Sequence, residues 1–372
     1  MGEEPLQRIV RLAPLDHVLA RIDALVRPVA ARSCELESAL GRTVAVEIRS
    51  EQPVPPVPLA LRAGWAVRSE LTTDASPFSP MPVPSAARVE TGSPLPPEAD
   101  SVAPLDAVVI EDGLAQALSP IAPGEGVLSA SADAAQGSII IPAGWSLDRM
   151  RIALLSALGI ARVQVRDPRL RVLPARAGSD PVIAAAVQGI AQATGGAGAT
   201  ALVSEATEPL ERALTAMDAD AAFVVGGTGS GTRDETVRTL ARLGQVETHG
   251  VALVPAETSA FAMLGEVPVL ALPGRLDAAL AAWHMLGRAI LSRLASMSEP
   301  QLLRTARITR KITSSPGVAE LVPVLCEGRS AHPLATGYAP ISALARANGW
   351  VFIDPGSEGY QANSEVVIRP WP

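Results

Sequence analysis

Lysine is almost missing from this chain: Lys311 is the sole one among 372 residues, and the remaining permanently cationic side chains are arginines. That scarcity excludes Schiff-base and other lysine-dependent covalent chemistry, and leaves guanidinium groups, suited to bidentate contact with carboxylate or phosphate, to meet any anion. Cysteine is nearly as rare. Cys34 and Cys326 stand far apart and form no CxxC or Cys/His spacing, so neither a disulfide framework nor a zinc site is indicated. Aromatic residues amount to 3%, which requires an aliphatic core. Basic runs are absent and the formal net charge is -7, with a pI near 5.3. Nucleic acid is thereby a poor partner, because its phosphate backbone demands clustered Lys and Arg. No apolar run reaches the ~18 residues of a membrane-spanning helix. The opening Met1-Gly2-Glu3-Glu4-Pro5 carries acid where a signal peptide needs base. A cytoplasmic protein without a membrane partner is the expectation.

What is present describes a folded protein with many turns: 48% hydrophobic residues, 19% charged, 33 prolines and 30 glycines. The length exceeds what one core usually holds. Leu15, Val18, Leu19, Ile22, Leu25 and Val26 recur at helical spacing between Pro14 and Pro28 and predict an amphipathic helix. A shorter helical piece is expected over Glu35–Leu40 and a strand over Val44–Ile48. Pro53 to Pro58 then breaks the pattern, and short strands with many prolines run to about Trp145. Helical periodicity returns over Leu147–Gly159.

Beyond that point strands and helices alternate: strand Leu170–Leu173, helix Pro181–Ala193, strand Thr200–Ser204, helix Glu208–Met217, strand Ala221–Val225, helix Asp234–Leu243, strand Val267–Leu272 and a long helix Asp277–Leu294. Such alternation predicts a parallel sheet with helices on both faces. After Pro300, strand-like runs at Thr305–Ile312, Ala319–Leu325, Trp350–Ile353 and Glu365–Ile368 flank a polar middle and predict a separate β domain. The expected partition is therefore a helical/β linker region (1–52 and 146–166), an inserted β-rich domain (53–145), a three-layer α/β domain with a parallel-type sheet (167–298) and a small C-terminal, barrel-like β domain (299–372).

The stretch richest in chemical meaning is Phe223-Val224-Val225-Gly226-Gly227-Thr228-Gly229-Ser230-Gly231-Thr232-Arg233-Asp234, an apolar strand running into a glycine loop and then a helix. Four glycines in six positions allow backbone N–H groups to converge, and a helix N-terminus adds partial positive charge, so this order of elements makes an anion site. It is neither the GxxxxGK[ST] phosphate loop nor a clean GxGxxG. A second strand end, Leu272-Pro273-Gly274-Arg275, opens toward the same crevice, where ligands of parallel sheets sit. Arg62, Arg68, Arg88, Arg176, Arg233 and Arg275 are the candidate anion partners. The histidines, His17, His249, His284 and His332, show no ligand spacing, and no Ser/His/Asp order with a nucleophile elbow is visible.

Three collinear segments resemble the molybdopterin molybdenumtransferase family of the bacterial MoeA type, which also corresponds to the C-terminal part of gephyrin-like proteins. Thr91-Gly92-Ser93-Pro94-Leu95-Pro96-Pro97-Glu98-Ala99-Asp100 is close to the family's TGAPLPxGAD. Gly226 to Asp234 is similar to its GGVSVGDYD, and Leu272-Pro273-Gly274-Arg275 stands where the family has LPGN. The resemblance spans about Leu15 to Ile368. It implies a molybdopterin-binding α/β domain, a homodimer, and insertion of molybdate into adenylated molybdopterin with Mg²⁺ present and release of AMP. On this basis Gly226, Gly227, Thr228, Gly229, Ser230, Gly231, Thr232, Pro273, Gly274 and Arg275 are the expected substrate contacts. Asp234 and Thr91 are the candidate catalytic residues, and Asp234, Asp180 and Asp277 the candidate magnesium ligands.

The same resemblance shows where the chain departs from the family's motifs. Pro58 and Ala63 replace both acids of the family's FDNSAMDGYAVR, which here reads Val57 to Arg68. Thr232 replaces the first aspartate of the glycine loop, and Val254 and Glu257 replace the lysines of KPGKP. The TGDEL segment becomes Pro174-Ala175-Arg176-Ala177-Gly178-Ser179-Asp180. Losses of this kind remove carboxylates that hold metal and cations that cradle phosphate. Two readings stay open: a divergent transferase, or a catalytically impaired carrier of molybdopterin or the finished cofactor, with a molybdoenzyme or another protein of the pathway as its partner. Each of the three aspartates also lies at a helix start, where an acid is favourable without any metal.

Overall fold

The structure is a computed structural model and describes residues 7–176, 180–195, 201–203, 209–300 and 303–371. The chain divides into two compact units, Met1–Val46 with Ala143–Pro372, and Glu47–Pro142.

In the first unit, the helix Leu15–Leu25 buries Leu15, Val18 and Ile22, the stripe its periodicity predicts. A three-stranded antiparallel sheet joins Arg32–Glu35, Arg162–Arg166 and Thr43–Val44. The strand expected over Val44–Ile48 is split, because the chain leaves one unit for the other between Thr43–Val44 and Ile48–Arg49. The helix expected over Glu35–Leu40 is a single 3₁₀ turn, Leu36–Ser38. The helix Arg149–Ala157 starts where Asp148 accepts the Arg151 amide at 2.8 Å.

At the centre of this unit lies a six-stranded sheet in the order Ala201–Val203, Leu170–Pro174, Ala221–Val225, Val267–Leu272, Ala260–Leu264 and Gln245–His249. The first four strands are parallel, and Ala260–Leu264 runs antiparallel to both of its neighbours, Val267–Leu272 and Gln245–His249. The parallel expectation thus holds except at one edge. Alternate residues of the central strands feed two cores: Leu170, Val172, Phe223, Val225, Leu270 and Leu272 on one side, Leu173, Ala222, Val224, Val269 and Ala271 on the other. The helix Asp180–Gly195 and the final helix cover the first face, while Leu210–Thr215 and Thr236–Leu243 cover the second. Of the strand expected over Thr200–Ser204 and the helix expected over Glu208–Met217, the end residues Thr200, Ser204 and Glu208 lie outside the described residues. The long final helix is interrupted: Leu276–Ala282 and Arg288–Ala295 flank a π-turn at Trp283–Gly287. Trp283 is fully buried and meets Phe223 edge-on, with centroids 4.8 Å apart.

The C-terminal strands close on themselves. Ala319–Glu327, Ser330–Pro333, Arg304–Ile308, Glu365–Pro370 and Gly349–Ile353 pair in that order, and the last returns to the first, making a five-stranded barrel. Its core is aliphatic, with Ile308, Val322, Val324, Val351, Ile353 and Ile368 inside. Outside the ring, Leu253–Val254 adds to the start of Ala319–Glu327 in parallel.

The second unit, Glu47–Pro142, is built of short antiparallel pairs around Gly64–Val67 and around Leu114–Ala117. Among the described residues it has 3₁₀ turns but no α-helix.

Candidate functional site

Three neighbouring parallel strands end level with one another, since Pro174 pairs with Val225 and Val225 with Leu272. The ladder runs one residue further: the Ala175 amide donates to Val225 O at 2.8 Å, and the Gly226 amide to Leu272 O at 2.9 Å. Three loops therefore leave the sheet side by side, carrying Arg176, the glycine loop, and Pro273-Gly274-Arg275. This is the crevice at the carboxyl ends of strands where such sheets bind ligands.

Close approach at this point explains two of the glycines. Gly226 has φ +93°, and a Cβ there would lie 2.1 Å from Asp180 Oδ2. At Gly274 a Cβ would lie 3.4 Å from both Asp180 Oδ1 and the Gly226 Cα. Bare backbone is what lets the two corners meet over a carboxylate.

The loop is held from several directions. Thr236 Oγ1 donates to Gly226 O at 2.7 Å, Thr228 and Thr258 share a hydroxyl hydrogen bond of 2.8 Å, and His249 Nε2 lies 3.0 Å from Thr228 O. Gln7 is the clip that sequence reasoning missed. Its Nε2 donates to Gly227 O at 2.8 Å and Gly229 O at 2.6 Å, and its Oε1 accepts the Val237 amide at 3.2 Å. No local pattern could reveal it, because it reaches across 220 residues or more. These bonds also occupy three of the amides that an anion cradle at this corner could offer. The Thr236 amide is spent on Gly227 O, the Val237 amide on Gln7 and the Gly231 amide on Asp234 Oδ2. The helix begins at Thr236 rather than Asp234, since Asp234 is turned back into the loop.

Arg176 is the electrostatic centre of the crevice. Its Nε donates to Asp180 Oδ2 at 3.2 Å and its Nη1 to Asp234 Oδ1 at 3.3 Å. The Asp180 side chain is 2% exposed, that of Asp234 18% and that of Arg176 41%, so one partly open guanidinium spans a buried acid and a half-buried one. Beside it lies a cleft of about 290 Å³ lined by Arg176, Gly227, Arg233, Thr236, Thr239 and Arg242 among others. Arg242 is paired with Glu211, and Arg233 is exposed.

The structure brings Gly226, Gly274, Asp180 and Asp234 together, sets Gly227, Gly229 and Gly231 beside them, and places several other candidates elsewhere. Ser230, Gly231 and Thr232 form the exposed tip of the loop. Arg275 turns away to clasp Asp277 at 3.1 and 2.8 Å and to stack on Tyr338, 5.2 Å from its centroid. That bond holds the Arg275 guanidinium above its ordinary pKa. Asp277 is buried and also accepts the Ala339 amide at 3.0 Å. Thr91 belongs to the second unit, exposed in the turn after Ala87–Val89. Two of the predicted anion partners in that unit serve other contacts: Arg62 binds Val102 O and Glu125, and Arg88 lies over Trp65. Arg68 is exposed there.

The residues present do not fit a magnesium ion. Such an ion takes oxygen ligands in near-octahedral array. Here Asp180 and Asp234 are joined through a guanidinium, and Asp277 is committed to Arg275 and Ala339. No group of three His, Cys, Asp or Glu side chains able to hold a metal occurs among the described residues.

Comparison with known proteins follows the same architecture. The family model for the MoeA N-terminal region (domain I and II) matches residues 13–159, and that for the MoeA C-terminal region (domain IV) matches 305–371. Between them a model described as "Probable molybdopterin binding domain" matches 178–293. The chain belongs to the MoeA family of molybdenum cofactor biosynthesis proteins. It is 28% identical to molybdopterin molybdenumtransferase 1 of Mycobacterium tuberculosis over 322 residues, covering 76% of this chain and 73% of that protein. With molybdopterin molybdenumtransferase 2 of the same organism the identity is 25%, over 89% and 92%. A crystal structure of the MoeA protein of Pyrococcus horikoshii superposes with a TM-score of 0.76 at 26% identity, covering 97% of this chain and 99% of that one. No helix among the described residues is long and apolar enough to cross a membrane.

Proposed function

We propose that this MoeA-family chain binds a phosphate-bearing molybdopterin against the joined corners of Gly226 and Gly274, and serves the pathway as a carrier rather than by magnesium-assisted insertion of molybdate. The observation that carries this reading is the single guanidinium of Arg176 shared by Asp180 and Asp234. A terminal phosphate approaching the crevice meets Arg176 and, at the cleft mouth, Arg233. Charge-assisted donors of this kind bind and orient a phosphate. Cleaving a phosphoanhydride asks for more, because negative charge builds on the departing oxygens and several cations normally share it. Thr232, Val254 and Glu257 stand where the family has an acid and two lysines, and nothing among the described residues at this crevice replaces all three.

The transferase reading is favoured by the names of the relatives and is separated by one experiment. The purified chain is mixed with adenylated molybdopterin and molybdate, with and without Mg²⁺, and AMP release is followed beside ligand binding. Binding without AMP is the expected result. AMP release that depends on Asp234 would overturn the carrier reading. The homodimer of the family belongs to the same proposal and is tested by light scattering after size exclusion.

A further inference from the structure

We infer that Arg176 holds the place of a divalent cation at this crevice, so that the corner is charged by a side chain and not by a metal. Its consequence for anions rests on the phosphate-binding reading above, whereas its consequence for metals does not.

The argument begins with Asp180. This carboxylate is 2% exposed and pressed against two glycine backbones, with Oδ2 and Oδ1 at 2.1 and 3.4 Å from where the Cβ atoms of Gly226 and Gly274 would stand. A buried carboxylate needs a cation or several donors to offset lost hydration. Asp234 aims Oδ1 at the same place from the glycine loop while Oδ2 stays on the Gly231 amide. Two acids converging from separate loops make a cation position. The group found there is Arg176, which donates through Nε to one acid and Nη1 to the other.

A guanidinium and a divalent ion cannot share this position. The ion would need the oxygens that Nε and Nη1 occupy, and the two positive groups would repel strongly at contact distance in a half-buried setting. The exchange also changes the chemistry. Arg176 cannot be removed by chelation and offers directed N–H donors. Its Nη2 lies 3.5 Å from the Cβ position of Gly274, so the guanidinium edge faces the bare junction of the two corners. A phosphate held there would be bound equally well in chelator and in magnesium.

The test uses the full-length chain and two titrations: Mn²⁺, followed by the electron paramagnetic resonance of the free ion, and inorganic phosphate, followed by calorimetry in EDTA and in Mg²⁺. The wild type is expected to leave Mn²⁺ free and to bind phosphate with affinities that agree within about twofold in the two media. Arg176→Gln should lose about tenfold or more in phosphate affinity, the value of a charged hydrogen bond, and should take up Mn²⁺ between the released acids. Arg176→Lys keeps a positive charge and should still exclude Mn²⁺; the wild-type and Lys arms decide the matter if the Gln variant does not fold. Stoichiometric Mn²⁺ binding by the wild type, or a loss of about tenfold in phosphate affinity on adding EDTA, would overturn the inference. No phosphate binding in either medium, with Mn²⁺ excluded by the wild type and admitted by the Gln variant, would sink the phosphate reading and leave the assignment of Arg176 standing.

Discussion

His284 makes the sharpest quantitative prediction, because its ring is buried without a protein partner. It sits in the π-turn of the final helix, 5% exposed, with ring centroids 5.5 Å from those of both Trp350 and Trp371. Neither ring nitrogen has a hydrogen-bond partner among the described residues. Burial first, and the charge of Arg288 second, push its pKa down to about 3. In the unfolded chain the same imidazole titrates near 6.5. The unfolded state therefore takes up a proton that the folded state refuses. Stability is full above pH 6.5 and is lost as the pH falls toward 3, at about 1.4 kcal/mol per pH unit. At pH 5 the loss is about 2 kcal/mol relative to pH 7.5. His284→Phe keeps a ring of similar size and removes the titration. The two proteins are unfolded in urea at pH 7.5 and pH 5 with tryptophan fluorescence as the probe. The variant's stability relative to the wild type should rise by about 2 kcal/mol between the two conditions. Carboxylates that titrate in the same range contribute equally to both chains and cancel. A relative stability that is the same at both pH values would refute the picture of a neutral ring sealed between two indoles.

Three further outcomes follow from the same geometry. Gly226→Ala must displace the Asp180 carboxylate and strain a backbone at φ +93°, and should cost about 3 kcal/mol or more in thermal or urea unfolding; a loss under 1 kcal/mol would show that the corner yields easily. Gln7→Ala deletes three hydrogen bonds to the glycine loop and its helix, and should raise amide hydrogen exchange in residues 226–234 by tenfold or more, about 1.4 kcal/mol of local opening. Glu299 accepts from Arg151 at 2.6 and 3.0 Å and from Ser146 at 3.1 and 3.0 Å, bonds that hold its carboxyl below the usual carboxylate range. Its stabilisation is present above the unfolded pKa and lost as the pH falls through the lower folded one, so Glu299→Gln should cost about 1–2 kcal/mol at pH 7 and progressively less in acid, read as the melting temperature at each pH.

The fold was legible wherever a buried strand announced itself. Ala221–Val225 and Val267–Leu272 are unbroken apolar runs with turn residues behind them, and both lie where such runs predict. Gln245–His249 carries polar residues at the edge of the sheet, and it pairs antiparallel with Ala260–Leu264, which the two-residue turn Gly265-Glu266 folds back against Val267–Leu272. Ser330–Pro333 has no strand signal at all. It is a strand because a two-residue turn, Gly328-Arg329, folds it back on Ala319–Glu327 and its other side meets Arg304–Ile308. At the site, the glycines were readable from spacing, since backbone approach leaves a compositional trace. The clip from Gln7 and the bridge from Arg176 were not. Each joins loops far apart in sequence, and the side-chain types involved are common on any surface.

The departures from the family pattern make better sense together than singly. By the resemblance to the family's motifs, Glu257 stands where those motifs have a lysine, and Arg275 where they have an asparagine at the neighbouring corner. In the structure the charge of Glu257 adds to the stronger hold of Asp277 in raising the Arg275 pKa, so the two exchanges are electrostatically coupled. The same reasoning applies at the crevice. Without a cation, Asp180 and Asp234 would leave unneutralised negative charge beside a buried carboxylate, which burial penalises. Arg176 neutralises part of that pair. One negative charge remains uncompensated within that trio, so a bound phosphate must draw on further cations, of which Arg233 lines the adjoining cleft. Arg233→Ala should then weaken phosphate binding about as much as Arg176→Gln does, roughly tenfold, while leaving Mn²⁺ excluded. A variant that bound phosphate as tightly as the wild type would show that the ligand sits deeper, against Arg176 alone.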